Sequence, residues 1–81
     1  MTLITFKEAT ARIANAGTYQ LNGVTTPYLE LGGWFDSLAE LIDSYAADYG
    51  MDDSELIDWL GDNDGTCVVY DVESEQFSLL L

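Results

Sequence analysis

Residues 66–72, with the sequence TCVVYDV, carry apolar or β-branched side chains at both odd and even positions. A strand that is buried on one face alternates apolar and polar residues, whereas a strand that is covered on both faces does not. This stretch therefore predicts a central strand of a sheet. After a short loop, residues 76–81 alternate in polarity, which predicts a neighbouring strand. Its inward side chains should be Phe77, Leu79 and Leu81.

A second pair of strands is predicted nearer the N-terminus. The Asn22-Gly23 dipeptide separates two β-type runs, residues 19–21 and residues 24–31. Asn-Gly between such runs is the strongest short hairpin signal, because both residues tolerate a positive φ. Pro27 has no N–H to donate, so we expect the second strand to lie at an edge or to carry a bulge there.

Three helices are expected, each with a polar cap at its start and a glycine at its end. The paired signals are residues 5–8 with Gly17, residues 37–40 with Gly50, and residues 52–55 with Gly61. The apolar positions that share a face at helical spacing are Phe6, Ala9, Ile13 and Ala16, then Leu38, Leu41, Ile42, Tyr45 and Tyr49, then Leu56, Ile57 and Leu60. The predicted order is αββααββ, an α+β domain spanning residues 1–81. Its four-stranded, mostly antiparallel sheet should pack against the three short helices.

The charge of the chain is of one sign over most of its length. The net charge is −13, and Lys7 and Arg12 are the only cations, so no Lys, Arg or His follows Arg12. Fourteen of the 15 carboxylates lie between Glu30 and Glu75. Like charges repel one another and weaken a compact state. A chain that is 48% hydrophobic and still carries so many carboxylates is therefore expected to use their electrostatic field to attract a partner. Such a surface repels nucleic acid and anionic membranes and attracts grooves lined with Lys and Arg.

Direct DNA binding and catalysis are both disfavoured. The two predicted helices around Gly50 have the spacing of a helix-turn-helix, but the second would present Asp53, Glu55 and Asp58 to the phosphates, which require cations. Without histidine, and without a cation after Arg12, that part of the chain cannot build an oxyanion clamp or a Ser–His or Cys–His pair. We therefore expect neither an enzyme nor a cofactor.

No specific metal site is expected either. Residues 62–65, with the sequence DNDG, resemble part of an EF-hand loop. With Gly65 at loop position 6, however, Leu60 takes the place of the first ligand, Asp71 takes that of the last, and a strand follows in place of a helix. These residues are expected to form a plain turn, while an acidic surface binds Ca²⁺ or Mg²⁺ weakly and without specificity.

The single cysteine and the N-terminus favour a cytoplasmic protein. Cys67 cannot form an internal disulfide, which fits a reducing compartment, and its place in a β-like run predicts a buried, inert thiol. The first residues lack the apolar core of a signal peptide and include Glu8, and no stretch is apolar enough to span a bilayer.

The acidic segment at residues 36–64 has the spacing needed to imitate nucleic acid. Residues four apart on a helix lie about 6 Å from each other. Successive phosphates of one DNA strand rise about 3.4 Å along the duplex axis and lie further apart than that in space, so carboxylates on a helix and an adjacent turn can reproduce their spacing. An ordinary solvated face is the alternative, but such faces interleave both signs. Asp36, Glu40 and Asp43 should point away from the apolar face of their helix, and two tryptophans are candidate anchors. The candidate partner-binding residues are Asp36, Glu40, Asp43, Asp48, Asp52, Asp53, Glu55, Asp58, Asp62 and Asp64, with Trp34 and Trp59.

In charge, size and expected fold the chain resembles the small acidic DNA-mimic proteins of phages and plasmids, the antirestriction and anti-CRISPR inhibitors. Residues 32–36, GGWFD, followed by an acidic helix, are similar to the Gly-x-Trp-x-Asp segment of ArdA-type antirestriction proteins, and the similarity extends to about Gly65. The Tyr-Asn-x-Gly run that precedes this segment in that family is absent. The resemblance implies a mode of action and no residue assignment: an inhibitor that occupies the nucleic-acid groove of a CRISPR effector or restriction enzyme in the host cytoplasm.

Two other interpretations remain open. In the first, the chain is a small structural or assembly adaptor of a phage or plasmid, and its acidity serves solubility. In the second, the chain is adapted to high intracellular salt. In the second case, other cytosolic proteins of the same source would share the acidic bias.

Overall fold

The computed structural model describes residues 2–62 and 66–81, and within them the chain forms three helices and five strands. In chain order these are β1 Leu3–Thr5, α1 Phe6–Ala16, β2 Thr18–Leu21, β3 Val24–Pro27, α2 Leu38–Tyr49, α3 Asp53–Asp62, β4 Cys67–Asp71 and β5 Gln76–Leu80. The α+β class is as predicted. The single four-stranded sheet is wrong, because the described strands form a three-stranded sheet, β1-β4-β5, and a separate two-stranded one, β2-β3.

The three-stranded sheet has β4 at its centre, as the unbroken apolar pattern predicts. β1 pairs parallel to β4, with Ile4 opposite Val69, and β5 pairs antiparallel, with Leu79 opposite Val68. The parallel strand β1 was not predicted. It is three residues long and runs directly into α1, so its last residue, Thr5, serves both the strand and the helix cap.

Both faces of this sheet are covered by helices. On one face, Val68 and Leu79 belong to a cluster with buried residues of α2 and α3: Leu41, Ile42, Ala46, Leu56 and Leu60. On the other face, Ala9 of α1 packs into a second cluster with Ile4, Cys67, Val69 and Leu80. The sheet is therefore the middle layer of three. This two-sided burial makes Leu80 a core residue, while the predicted inward residue Leu81 is 37% exposed.

The helix caps form largely as predicted. The hydroxyl oxygen of Thr5 accepts a hydrogen bond from the Glu8 N–H, and that of Ser37 accepts one from the Glu40 N–H, both at 3.2 Å. The Glu8 carboxylate departs from the predicted box, since it accepts from the Thr5 hydroxyl rather than from a backbone N–H. Gly50 ends α2 in the left-handed conformation, with φ 68°.

Some of the predicted helix details are wrong. α3 continues through Gly61 to Asp62, so this glycine does not end the helix. Ile57, which was expected to face inward, is 41% exposed, because only Leu56 and Leu60 of that helix reach the core. Phe6 and Tyr49 are also exposed, since they lie at the first and last positions of their helices, beyond the sheet they were expected to cover.

The hairpin forms at the predicted turn but stands apart from the central sheet. Leu21 and Val24 flank the turn, in which Asn22 has φ 52° and Gly23 has φ 80°. The second strand ends at Pro27 rather than reaching residue 31. Both strands of this two-stranded sheet lie at an edge, so the proline has the edge position that its missing N–H requires.

Residues 30–35 follow the outer edge of β5 without forming a regular strand. Glu30 exchanges two backbone hydrogen bonds with Leu81, at 3.2 and 3.0 Å, and Phe35 exchanges two with Phe77, at 2.7 and 2.8 Å. Between them, the Gly32 N–H donates to the Leu79 carbonyl at 2.9 Å. This segment fixes the position of Trp34 and the entry into α2.

We predict that Gly32→Ala destabilises the fold and that Gly33→Ala does not. A methyl group on Gly32 would overlap the Tyr45 hydroxyl, and the Tyr45 ring is held by Phe35 and Tyr49. Displacing it should lower the free energy of unfolding by about 1–3 kcal/mol, the usual cost of overpacking. A methyl on Gly33 meets only the Phe35 ring, at 4.0 Å. Urea unfolding of both variants checks this, and equal effects at the two glycines would contradict it.

Candidate acidic interface

The predicted carboxylates lie on the outer surface of the α2–α3 pair and its approaches. Nine of the ten are in the described residues, and all nine are exposed. They are Asp36, Glu40, Asp43, Asp48, Asp52, Asp53, Glu55, Asp58 and Asp62. Asp64, with the rest of the predicted turn at residues 63–65, lies outside the described residues.

Each of the two helices carries one acidic stripe opposite its buried side. In α2, Glu40 and Asp43 are three residues apart and point away from the buried residues Leu41 and Ile42. In α3, Glu55, Asp58 and Asp62 recur at spacings of three and four, which is one helix face. Asp48 lies beside its stripe, between it and the buried side. The sequence therefore predicted the outward direction of Glu40 and Asp43.

The α2 stripe also meets Asp53, the residue with which α3 begins. A hydrogen bond between the side chains of Asp43 and Asp53 raises the pKa of Asp53 above its ordinary value of 3.8, with further upward contributions from desolvation and from repulsion by Asp43 and Asp52. The contact between Asp43 and Asp53 was not predicted, because it depends on how α2 and α3 pack. Asp53 lies three and seven residues before Leu56 and Leu60, on their side of α3 and not on the stripe of Glu55, Asp58 and Asp62. The two stripes together with Asp53 are here called the acidic surface, which is defined by Glu40, Asp43, Asp53, Glu55, Asp58 and Asp62.

Several of the predicted carboxylates also have structural partners. Asp36 accepts a hydrogen bond from the Gln76 side-chain amide at 3.0 Å, which ties it to β5. Asp52 accepts from the Glu55 N–H at 2.8 Å, and the Glu55 carboxylate accepts from the Asp52 N–H at 3.3 Å. This reciprocal cap holds the first turn of α3. Asp36, Asp52 and Glu55 are thus restrained as well as exposed.

The two candidate tryptophans occupy different surroundings. Trp34 is 36% exposed and packs edge-on against Phe6 at the start of α1, with ring centroids 5.6 Å apart. Trp59 is half-buried and contacts Tyr49, with centroids 5.7 Å apart. Tyr49 in turn contacts Tyr45, whose pKa is raised by burial and by the neighbouring Tyr49 and Asp48. The tryptophans are therefore held by two separate aromatic contacts rather than by one.

Both cations of the chain lie outside the acidic surface. Arg12 donates from Nη1 to the Cys67 sulfur at 3.1 Å, and Cys67 is buried, as predicted. Lys7 lines a cleft of about 370 Å³ together with Asp71 and Glu73, and no residue of α2 or α3 lines that cleft. The acidic surface thus keeps its single sign in the folded protein.

The described residues contain neither a metal-binding cluster nor a membrane-spanning helix. No three Asp, Glu, Cys or His side chains of residues 2–62 and 66–81 are grouped so as to hold a metal ion. Over the same ranges, no helix combines the length and the apolar character that crossing a membrane requires.

Sequence reasoning overlooked the exposed apolar surface of the hairpin. Tyr19, Leu21, Val24 and Tyr28 are 37%, 55%, 63% and 58% exposed. The signal was present in the sequence, since residues 13–29 contain no charged side chain in a chain that has 17 of them.

Comparison of the chain with protein-family models, with curated proteins and with solved structures found no match.

The Asp43–Asp53 contact makes stability depend on pH. Because the pKa of Asp53 is raised on folding, the folded state binds a proton more tightly than the unfolded state does. Lowering the pH from neutral through the raised pKa toward 3.8 should therefore stabilise the fold, and raising it should remove that contribution. We predict that Asp53→Asn reduces this rise in Tm.

Asp58→Asn is the matched control for this prediction. It removes one charge from the same helix more than a turn away from Asp53. Thermal unfolding of wild type and both variants across the acidic pH range measures the effect. Identical pH profiles for Asp53→Asn and wild type would show that Asp43 and Asp53 do not interact in solution.

Proposed function

We propose that this protein is a non-catalytic inhibitor that imitates the phosphate charge of DNA and occupies a Lys/Arg-rich groove of a nucleic-acid-binding complex. The targets proposed are a CRISPR effector or a restriction enzyme, as in the anti-CRISPR and antirestriction class that the sequence resembles. Its place of action would be the cytoplasm of the host cell. The proposal includes no cofactor, no direct contact with nucleic acid and no membrane.

The observation that carries the proposal is the single sign of the acidic surface, whose carboxylates are all exposed and are crowded together at Asp43 and Asp53. Bringing two carboxylates together raises the pKa of Asp53, which means that the charged form is disfavoured there. An ordinary solvated face gains nothing from such a contact. A cationic groove relieves the repulsion and forms charge-assisted hydrogen bonds with the same carboxylates.

The helices that carry the acidic surface suit this role, because their starts are capped and their inner sides are packed against the core. The caps at Ser37 and Asp52 fix the starts of α2 and α3, and Leu41 and Leu56 are fully buried beneath them. Carboxylates on capped, packed helices keep their spacing before binding, so little conformational entropy is lost on association. Long-range attraction between opposite charges would speed association with the target, and added salt would slow it.

The tryptophans are proposed as peripheral contacts of the same interface. Trp34 presents about a third of its surface beside Asp36, and Trp59 lies within α3. Aromatic side chains of this kind are frequent among the residues that dominate interface energies. The alternative function, a structural or assembly adaptor, is favoured by a different observation, the exposed apolar side chains of the hairpin.

The proposal is tested by neutralising the α2 stripe of the acidic surface together with Asp36, which precedes α2. The protein and its variant Asp36→Asn/Glu40→Gln/Asp43→Asn are used as bait in cells that carry CRISPR and restriction systems, and the affinity for the captured complex is then measured. All three residues are exposed, and the amide oxygen introduced by Asp36→Asn can still accept the Gln76 hydrogen bond, so the fold should persist. Loss of three charge contacts should weaken binding by at least about tenfold.

The matched control is Glu30→Gln/Glu73→Gln/Glu75→Gln, which removes the same number of exposed charges from outside α2 and α3. It separates a specific surface from net charge alone, and we expect it to retain most of the affinity. If both triple variants weaken binding equally, net charge alone governs the affinity, and the proposal of a specific acidic interface is wrong. Capture of a structural assembly instead of a nucleic-acid-binding complex would favour the adaptor.

A further inference from the structure

The β2–β3 hairpin has one apolar face, and that face is exposed. Tyr19, Leu21, Val24 and Tyr28 alternate with polar residues and lie on the same side, where the Tyr19 and Tyr28 rings have centroids 5.1 Å apart. All four are at least 37% exposed. A two-stranded hairpin is marginally stable in water unless more strands or a packing partner are added. The exposed apolar face of this hairpin is therefore a surface on which a further packing partner would add stability.

The two outer edges of the hairpin differ. The Tyr28 N–H donates to the Gly17 carbonyl at 3.1 Å, and backbone pairing alternates along an antiparallel ladder. The main-chain groups of Thr18 and Gln20 on β2, and of Thr25 and Pro27 on β3, therefore point outward. Pro27 removes a donor from the β3 edge, whereas the β2 edge has neither a proline nor a charge to block pairing. Within the described part of the chain, β3 alone pairs with β2.

We propose that the hairpin is an interface between two copies of this chain, in which β2 of one copy pairs antiparallel with β2 of the other. The result is a four-stranded sheet with the apolar side chains of both hairpins on one face. Because the β3 edge is blocked at Pro27, pairing through β2 closes a two-fold dimer and does not propagate.

The occupant is a second copy because of the distribution of charge. Two chains of net charge −13 repel each other through most of their surface. Residues 13–29 form an uncharged stretch, so the hairpin allows close approach without bringing carboxylates together. A basic partner, in contrast, is attracted to the acidic surface and gains no electrostatic energy from a neutral strand. This inference does not rest on the proposed function.

The association is measured by sedimentation equilibrium of the full chain from about 1 to about 300 µM. For an interface this small we expect a weak dimer, with a Kd of about 1–100 µM. Salt should tighten it, because screening reduces the repulsion between the copies. Binding to a basic target through the acidic surface has the opposite salt dependence, so the two associations are distinguishable.

Two variants locate the interface. Gln20→Pro removes one outward N–H from β2 and leaves the backbone hydrogen bonds inside the hairpin, as Pro27 does on β3, although the Gln20 amide no longer donates to the Thr25 hydroxyl. Leu21→Thr/Val24→Thr keeps β-forming side chains and removes two exposed apolar ones. Each should raise the dimer Kd by at least about tenfold. The matched control, Ile57→Thr/Val72→Thr, removes two apolar side chains exposed elsewhere and should leave the Kd unchanged.

A chain that is monomeric up to about 300 µM would overturn the proposal. So would a dimer whose Kd is unaffected by Leu21→Thr/Val24→Thr, since the double variant does not depend on how the proline is accommodated. If the chain is monomeric and the same double variant weakens capture of a basic target, the hairpin contacts the target and the second copy is excluded.

Discussion

The fold depends on burying both faces of β4. Val68 faces α2 and α3, whereas Cys67 and Val69 face the side covered by α1, and none of the three is more than 1% exposed. A strand of this kind needs a neighbour on each edge and a helix layer on each side. β1 and β5 supply the edges, and the helices supply the layers. The hairpin receives no comparable cover, and its apolar side chains stay exposed.

The same arrangement determines where the negative charge lies. With helices packed on both faces of the sheet, the exposed sides of α2 and α3 are the surface available to the carboxylates at residues 40–62. Arg12 is hydrogen-bonded to the Cys67 sulfur on the α1 side of the sheet, so it does not interleave with those carboxylates. Helix packing then brings Asp43 against Asp53, which turns a dispersed net charge into a local concentration of it.

Local features were predictable from the sequence, and features that depend on packing were not. The Asn22-Gly23 turn and the caps at Thr5 and Ser37 follow from backbone preferences of a few residues, and each formed where expected. The central position of β4 was also predictable, because a strand whose residues do not alternate between apolar and polar is buried on both faces. β1 was missed since three residues beside a helix cap carry no periodic signal.

Within the candidate site, the outward direction of Glu40 and Asp43 followed from helical spacing. Their relation to Asp53 did not, since it is set by the angle and register between two helices. The hairpin shows the same limit: alternation at Tyr19 and Leu21 indicates an amphipathic strand but does not say whether its apolar face meets the core. Only the tertiary structure shows that it does not.

The central claim, that the acidic surface occupies the site of nucleic acid on its target, is tested most directly by simultaneous binding. The captured target is loaded onto immobilised DNA, and the protein is then added while bound mass is followed by interferometry. If the acidic surface occupies the groove, the target is released from the DNA and no ternary complex forms. A gain of mass, with the protein, target and DNA bound together, would contradict it.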